Sequence, residues 1–153
     1  MRLKNGEVIP TLQDVLDLVD GKVRLNIEIK SDGAGLSTAV YLDRHGYRGH
    51  VLLSSFREAE VADAKRAMPS LPIAVIFDTF IPEEIATYHA KRYNHISLNK
   101  KTVSEDLISR CQSKGIKVYV WTVDEEDDMR RLISWNVDGI YSNRPELLKC
   151  IAG

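Results

Sequence analysis

Two hydrophobic periods take turns along the chain. Leu12, Val15, Leu16 and Val19 recur at helical spacing behind Thr11, an N-cap residue type with Asp14 three positions on, and Gly21 ends the run. Over 24–30 the period drops to two. Leu25, Ile27 and Ile29 alternate with Asn26, Glu28 and Lys30, which predicts a strand. A helix is predicted from about 36 to 44, closed by His45, Gly46 and Tyr47. The same exchange then repeats. Strands are predicted over 50–55, 72–77, 95–98, 117–123 and 138–142. Helices are predicted over 57–68, 81–90, 104–115, 125–135 and 144–152. Pro69 stops the first of these, and Pro82 sits in the first turn of the second, where a missing N–H is harmless. Ser104 caps the third, and Gly115 ends it. The fourth carries acids early and arginines late, as the helix dipole favours.

Strict alternation of strand and helix implies a parallel sheet with right-handed crossovers. No glycine-rich phosphate loop follows any strand, so neither a dinucleotide-binding nor a P-loop reading has support. A β/α barrel is the better match, but a barrel takes eight strands and this pattern yields six. The fold expected is α/β: one domain over 1–153, an incomplete TIM-type barrel of six parallel strands whose first two strands are missing.

The 24–30 strand is unusual, because strands of a parallel sheet normally read as continuous apolar runs. With Leu25, Ile27 and Ile29 facing helices, Glu28 and Lys30 face the barrel interior near the strand C-termini, where barrel enzymes keep their chemistry. A carboxylate there suits a hard divalent cation, and an ammonium suits an anionic oxygen. A buried Glu–Lys pair that merely satisfies itself fits the same pattern.

Other strand ends add polar and aromatic groups. Ser54, Ser55 and Phe56 close the second strand. In the fifth, Val118 and Val120 are expected on the helix side, with Tyr119, Trp121 and Val123 inward. Trp121 reads either as a ligand wall or as a core residue. Asn99 and Asn143 follow strands and are polar candidates of low specificity. Trp135, at a helix end, reads as packing. His50 and His95 stand at strand starts, the wrong end for barrel catalysis. His45 lies in a helix-end loop and His89 on a helix, and no histidine is assigned a catalytic role.

Composition adds boundaries. The chain has 153 residues, 44% hydrophobic and 28% charged, with a net charge of −1. That balance argues against a nucleic-acid surface built on bulk positive charge. No apolar run approaches the ~20 residues that span a bilayer, and the first ten residues lack the apolar core of a signal peptide. Cys111 and Cys150 lack metal-type spacing, and Cys111 reads as a packed, reduced thiol. A cytoplasmic location is expected.

The stretches IPTLQDVLDLV, LNIEIK, VLLSSF and KVYVWTVDEEDDMRRLISWNVDGIYSNRPELL, in this order and spacing, resemble the glycerophosphodiester phosphodiesterases. The resemblance runs over nearly the whole chain. It implies a metal-dependent (βα)8 barrel, of which this chain corresponds to strands 3–8. The implied reaction is hydrolysis of glycerophosphodiesters to an alcohol and glycerol 3-phosphate, with Mg²⁺ or Ca²⁺ and two histidines. By the same resemblance Glu28 is a metal ligand, Lys30 contacts the phosphate, and Trp121 and Phe56 line the substrate pocket. The family's HRG, Glu–Asn, E-x-D and HD segments are not in this sequence. Ser142, Asn143, Arg144 and Pro145 stand where TDxP is usual.

Two readings follow. One is a family phosphodiesterase lacking its N-terminal third and its acid–base groups, hence inactive or nearly so as an isolated chain. The other is a non-catalytic module that binds a phosphate-bearing ligand or assembles with a partner. Either way two unpaired strand edges and an open interior are expected to be covered by a second copy in a dimer. Ile73 or Val75, Val51 or Leu53, and Tyr119 are expected at that contact.

Overall fold

The structure is a computed structural model that describes residue 4 and residues 6–47 and 49–153. Part of the segment examined for a leader therefore lies outside the described residues. Helix α1 (Leu12–Val19) leads, followed by β1 (Leu25–Glu28), α2 (Ala34–His45), β2 (Val51–Ser55), α3 (Glu58–Ala67) and β3 (Ile73–Phe77). A 3₁₀ turn (Pro82–Glu84) runs into α4 (Ile85–Ala90), then come β4 (His95–Asn99), α5 (Glu105–Ser113), β5 (Lys117–Trp121), α6 (Glu126–Ser134), β6 (Gly139–Ile140) and α7 (Pro145–Ala152). The six strands form one parallel sheet in sequence order, curled into a partial barrel with β1 and β6 at its two edges.

Register sorts the strand residues onto two faces. Glu28 stands opposite Ser54, and Ser54 opposite Ala74. Ile76 stands opposite Ser97, Ser97 opposite Tyr119, and Tyr119 opposite Gly139. These residues share the concave side. The convex side carries Leu53, Ile73, Val75, Ile96, Leu98, Val118 and Val120, all buried against Leu16, Leu42, Val61, Leu107, Met129 and Leu132 of the helices. Each such aliphatic side chain contributes about 1.5–3 kcal/mol on full burial, so the helix layer, rather than the concave face, carries most of the stability. This corrects the inward facing expected of four residues named for the dimer contact. Val51, Leu53, Ile73 and Val75 pack under helices, and of that set Tyr119 alone faces the interior.

Local chemistry explains most boundaries. In α1 Thr11 Oγ1 accepts from Asp14 N at 3.2 Å, while Asp14 Oδ2 accepts from Thr11 N at 2.7 Å. The Thr11 hydroxyl, which donates to Asp14 Oδ2 at 2.7 Å, and then the Thr11 amide hold the Asp14 carboxyl below the usual range. Ser104 Oγ accepts from Leu107 N at 3.3 Å and caps α5. Helix α2 starts two residues earlier than its apolar pattern suggests, because the buried Glu60 carboxylate of α3 accepts from Gly33 N at 2.8 Å and Gly35 N at 2.7 Å. A Cβ on Gly35 would lie 2.2 Å from the Glu60 carbonyl oxygen, so glycine is what allows α2 and α3 to approach. Strands are shorter than their alternation predicts. β1 ends at Glu28, β5 at Trp121, and β6 keeps two residues. Val123, expected inward, is fully buried in the helix-side core, since the chain has left the strand two residues earlier. Cys111 is buried in α5, where burial pushes its thiol up to about 11, and Cys150 is exposed. Among the described residues no helix is long and apolar enough to cross a membrane.

Candidate active site

At the C-terminal ends of the strands the curled sheet encloses a cavity of about 220 Å³, lined by residues that include Glu28, Phe56, Ile76, Ser97, Trp121 and Tyr141. Glu28 reaches it as the last residue of β1, on the concave face with Asn26. Lys30 follows on the same side. Its Nζ lies 3.5 Å from Glu28 Oε1, with the lysine side chain 76% exposed and the glutamate 34%. The pair is therefore a wet ion pair at a rim rather than a buried one. Its ammonium remains available to a second anion, since exposed pairs are worth little by themselves.

Phe56 is placed by the turn that leaves β2. Ser55 Oγ donates to Ile29 O at 2.8 Å and accepts from Arg57 N at 3.0 Å. That bridge ties the end of β1 to the β2–α3 turn, and Phe56 between them projects toward the mouth. It meets Trp121, the last residue of β5, edge to face with centroids 5.5 Å apart. Phe56 is 49% exposed. An exposed phenylalanine on a tryptophan edge makes an apolar wall open to solvent.

Below this wall the cavity is polar but unfinished. Ser97 Oγ and Trp121 Nε1 are buried and meet no hydrogen-bond partner, and Ser54 Oγ is in the same state on the neighbouring concave surface. Such groups are uncommon in folded proteins and cost about 1–3 kcal/mol each when left unpaired. Ser97 lies close to the Tyr141 hydroxyl without reaching hydrogen-bond geometry. Burial pushes the Tyr141 phenol up, Ser97 acts against that, and Tyr119 and then Glu28 add smaller contributions to the rise.

The remaining sequence candidates sort differently. Asn99 is occupied in its own loop: its Oδ1 accepts from Lys101 N at 3.0 Å and its Nδ2 donates to Asp78 at 3.4 Å. Asn143 is a fastening. The Asp124 carboxylate accepts from Asn143 N at 2.8 Å, Asn143 Nδ2 at 3.0 Å and Ser142 Oγ at 3.1 Å. These bonds, the Asn143 side chain's first, hold Asp124 below the usual carboxylate range. Trp135 sits half-buried at the end of α6 with the Arg131 guanidinium 5.4 Å from its ring centroid, a packing role. Sequence reasoning passed over Ser97, Tyr141 and Asp124. Continuing the alternation through 95–99 would have put Ser97 on the concave face. Asp124 had no comparable signal, because its partners come from a different loop.

The four histidines lie away from this mouth. His50 and His95 line a second opening at the strand N-termini, His45 stacks on Tyr41, and His89 is on α4. The metal expectation also meets a shortage of ligands. Among the described residues no three His, Cys, Asp or Glu side chains come together as a cation site. Glu28 is a lone carboxylate with an ammonium beside it, whereas Mg²⁺ and Ca²⁺ take about six or more oxygens. The described residues of this chain do not by themselves fit a divalent cation.

Comparison with known proteins agrees on one family. The model of the "Glycerophosphoryl diester phosphodiesterase family" matches residues 1–147. A glycerophosphodiester phosphodiesterase of Caldanaerobacter subterraneus subsp. tengcongensis is 33% identical over 151 residues, covering 94% of this chain and 61% of the relative. The Bacillus subtilis glycerophosphodiester phosphodiesterase is 28% identical over 161 residues, covering 93% of this chain and 53% of the relative. This chain thus spans between half and two thirds of the length of these two relatives. Among solved structures, a glycerophosphodiester phosphodiesterase from Parabacteroides distasonis superimposes with a TM-score of 0.83 at 22% identity, covering 99% of this chain and 67% of that one. An Oleispira antarctica phosphodiesterase in complex with its product sn-glycerol-3-phosphate superimposes with a TM-score of 0.82 at 17% identity, over 93% of this chain and 60% of that one. These two likenesses bear on the fold.

Proposed function

Because the chain belongs to the glycerophosphodiester phosphodiesterase family, we propose that its strand C-terminal mouth binds the phosphate and alcohol of a glycerophosphodiester. The observation that carries this reading is the Glu28–Lys30 pair at the same mouth as the Phe56–Trp121 wall. Lys30 has the reach and exposure to meet a non-bridging phosphoryl oxygen, where an ammonium opposes the charge that grows as water attacks phosphorus and the ester P–O bond breaks. Phe56 and Trp121 offer a flat apolar surface to the carbon skeleton of the alcohol. Glu28 orients the ammonium. A divalent cation is part of this reading for the family, where it would polarise the phosphoryl oxygens. No step is assigned to one here, because Glu28 alone does not make its site.

The same geometry argues for binding without turnover by these residues alone. Removing one general acid or base costs roughly 10²–10⁴ in rate, and none of the four histidines lines the mouth cavity. The second reading, a phosphate-ligand module, rests on that observation. Two measurements separate the readings. Titration with sn-glycerol 3-phosphate, followed by NMR shifts of the Trp121 indole N–H, is expected to show saturable binding that Lys30→Ala weakens; no shift at the indole overturns the site. Hydrolysis of glycerophosphocholine with Mg²⁺ or Ca²⁺ is expected at trace level or not at all; robust turnover overturns the non-catalytic reading.

A further inference from the structure

We infer that Asp124 is a positioning residue of the mouth: its carboxylate is a clip that sets where Trp121 and Tyr141 stand, and through them how tightly the mouth holds its ligand. The effect on the ligand rests on the binding function proposed above, whereas the effect on Trp121 and Tyr141 does not. β6 pairs with β5 through two residues, Gly139 opposite Tyr119 and Ile140 opposite Val120. The ladder runs slightly further, since Tyr141 N donates to Val120 O at 2.8 Å and Val123 N donates to Tyr141 O at 2.9 Å. Past that point the Asp124 side chain takes over from the backbone. It accepts from Asn143 N at 2.8 Å, Asn143 Nδ2 at 3.0 Å and Ser142 Oγ at 3.1 Å. Hydrogen bonds to an ionised acceptor are roughly twice as strong as neutral ones. Three of them on one carboxylate join the loop after β5 to the loop after β6.

The two segments so joined are the ones that carry mouth residues. Trp121 and Thr122 run up to the clip on one side and Tyr141 on the other, and all three line the mouth cavity, whereas Asp124, Ser142 and Asn143 do not. The other flank of β5 is tied separately. Lys100 N donates to Trp121 O at 2.9 Å, and Lys100 Nζ lies 3.0 Å from Asp128 Oδ2 of α6. The backbone at Trp121 is thus held from the β4 side and from the β6 side. Its ring has no such hold. Trp121 Nε1 finds no hydrogen-bond partner among the described residues, and its ring neighbour Phe56 is half exposed. The place of the indole therefore follows from the backbone ties. A role in stability alone fits less well. Asp124 stands just before α6, whose N-cap Glu125 makes no side-chain cap bond, yet the Asp124 carboxylate is spent on the neighbouring loop. Val123 beside it is fully buried and already anchors the segment in the core. What the clip adds is the alignment of two loops at the mouth, the support that a precise site takes from residues outside it.

The test uses the 153-residue protein, with NMR of the ligand-free state and titration with sn-glycerol 3-phosphate. Asp124→Asn sets an amide against the Asn143 amide and breaks that bond. In the folded, ligand-free variant the Trp121 indole N–H is expected to shift, while that of Trp135, at the far end of α6, stays in place. Affinity for sn-glycerol 3-phosphate is expected to fall about threefold or more, the lower range of coupling between neighbouring groups. The double variant Asp124→Asn/Asn143→Asp exchanges carboxylate and amide across the same gap and is expected to recover both. Asn143→Ala, at an exposed position, removes one bond to Asp124 and is expected to move the Trp121 indole by less. It decides the matter should Asp124→Asn fail to fold. A Trp121 indole that stays in place, that moves only together with Trp135, or that the double variant does not restore overturns the proposal. An unchanged affinity beside a moved indole overturns its effect on the ligand. Should the unaltered protein bind no sn-glycerol 3-phosphate, the binding function fails, and the ligand-free indole shifts and their recovery still decide the role of Asp124.

Discussion

Phe56 touches Trp121 across the mouth although one follows β2 and the other ends β5, three strands further along the sheet. Strands three apart in a flat sheet lie about 14 Å from one another. The edge-to-face contact, with ring centroids 5.5 Å apart, comes from the side chains' own reach together with the curl that turns the strand ends toward one another. The pair couples barrel shape to the site, since the wall exists only while β2 and β5 converge. Trp121→Ala is expected to destabilise the chain by about 0.5–1.5 kcal/mol from the ring pair plus its lost burial, and to abolish ligand-dependent shifts at Phe56. Urea unfolding and NMR titration read the two effects separately. Ligand-dependent Phe56 shifts that persist in the variant would mean that the site does not need the Phe56–Trp121 wall.

Lys30 offers the cleanest separation of binding from folding. With its side chain 76% exposed and its partner at 3.5 Å, the ion pair contributes little to stability. Lys30→Ala is expected to leave the unfolding free energy within about 0.5 kcal/mol, while weakening sn-glycerol 3-phosphate about tenfold or more. Isothermal titration beside chemical denaturation checks both halves. A stability loss without a binding loss would assign the pair to the self-satisfying reading.

Glu60 is the reverse case, a buried carboxylate with no place at the mouth. It accepts from Gly33 N and Gly35 N at the start of α2. Glu60→Ala strands both amides and is expected to cost about 1–3 kcal/mol. Gly35→Ala is expected to destabilise by at least a similar amount, because its Cβ would collide with backbone that cannot swing aside. Denaturant midpoints measure both.

Asp124 sets an acid dependence for the loop after β6. Its folded carboxyl is held below the unfolded value by bonds from Asn143 and Ser142. The stabilisation is therefore complete above the unfolded value of about 3.9, and is lost as pH falls through the lower folded value. On acidification, the Asn143 amide resonance is expected to move below about pH 4. Asp124→Asn is expected to remove that transition. A transition that survives in the variant would point to another carboxylate.

The sequence by itself determined the alternation of elements, the parallel sheet and the face on which Glu28 stands. These follow from local periods: 3.6 for a helix, 2 for a strand, and a right-handed crossover between them. Thr11, Ser104 and Pro82 declared helix starts for the same reason, since a cap acts on its own neighbours. What the sequence left open was settled at a distance. The two inward-or-outward choices for Val51, Leu53, Ile73 and Val75 look identical in an apolar run, and only packing against α-helices decides between them. The start of α2 is set by Glu60 from the next helix, and Asn143 is turned from a mouth candidate into a fastening by Asp124. Trp121 and Phe56 become one wall because the sheet curls. Curl is a property of all six strands together, and no single strand encodes it.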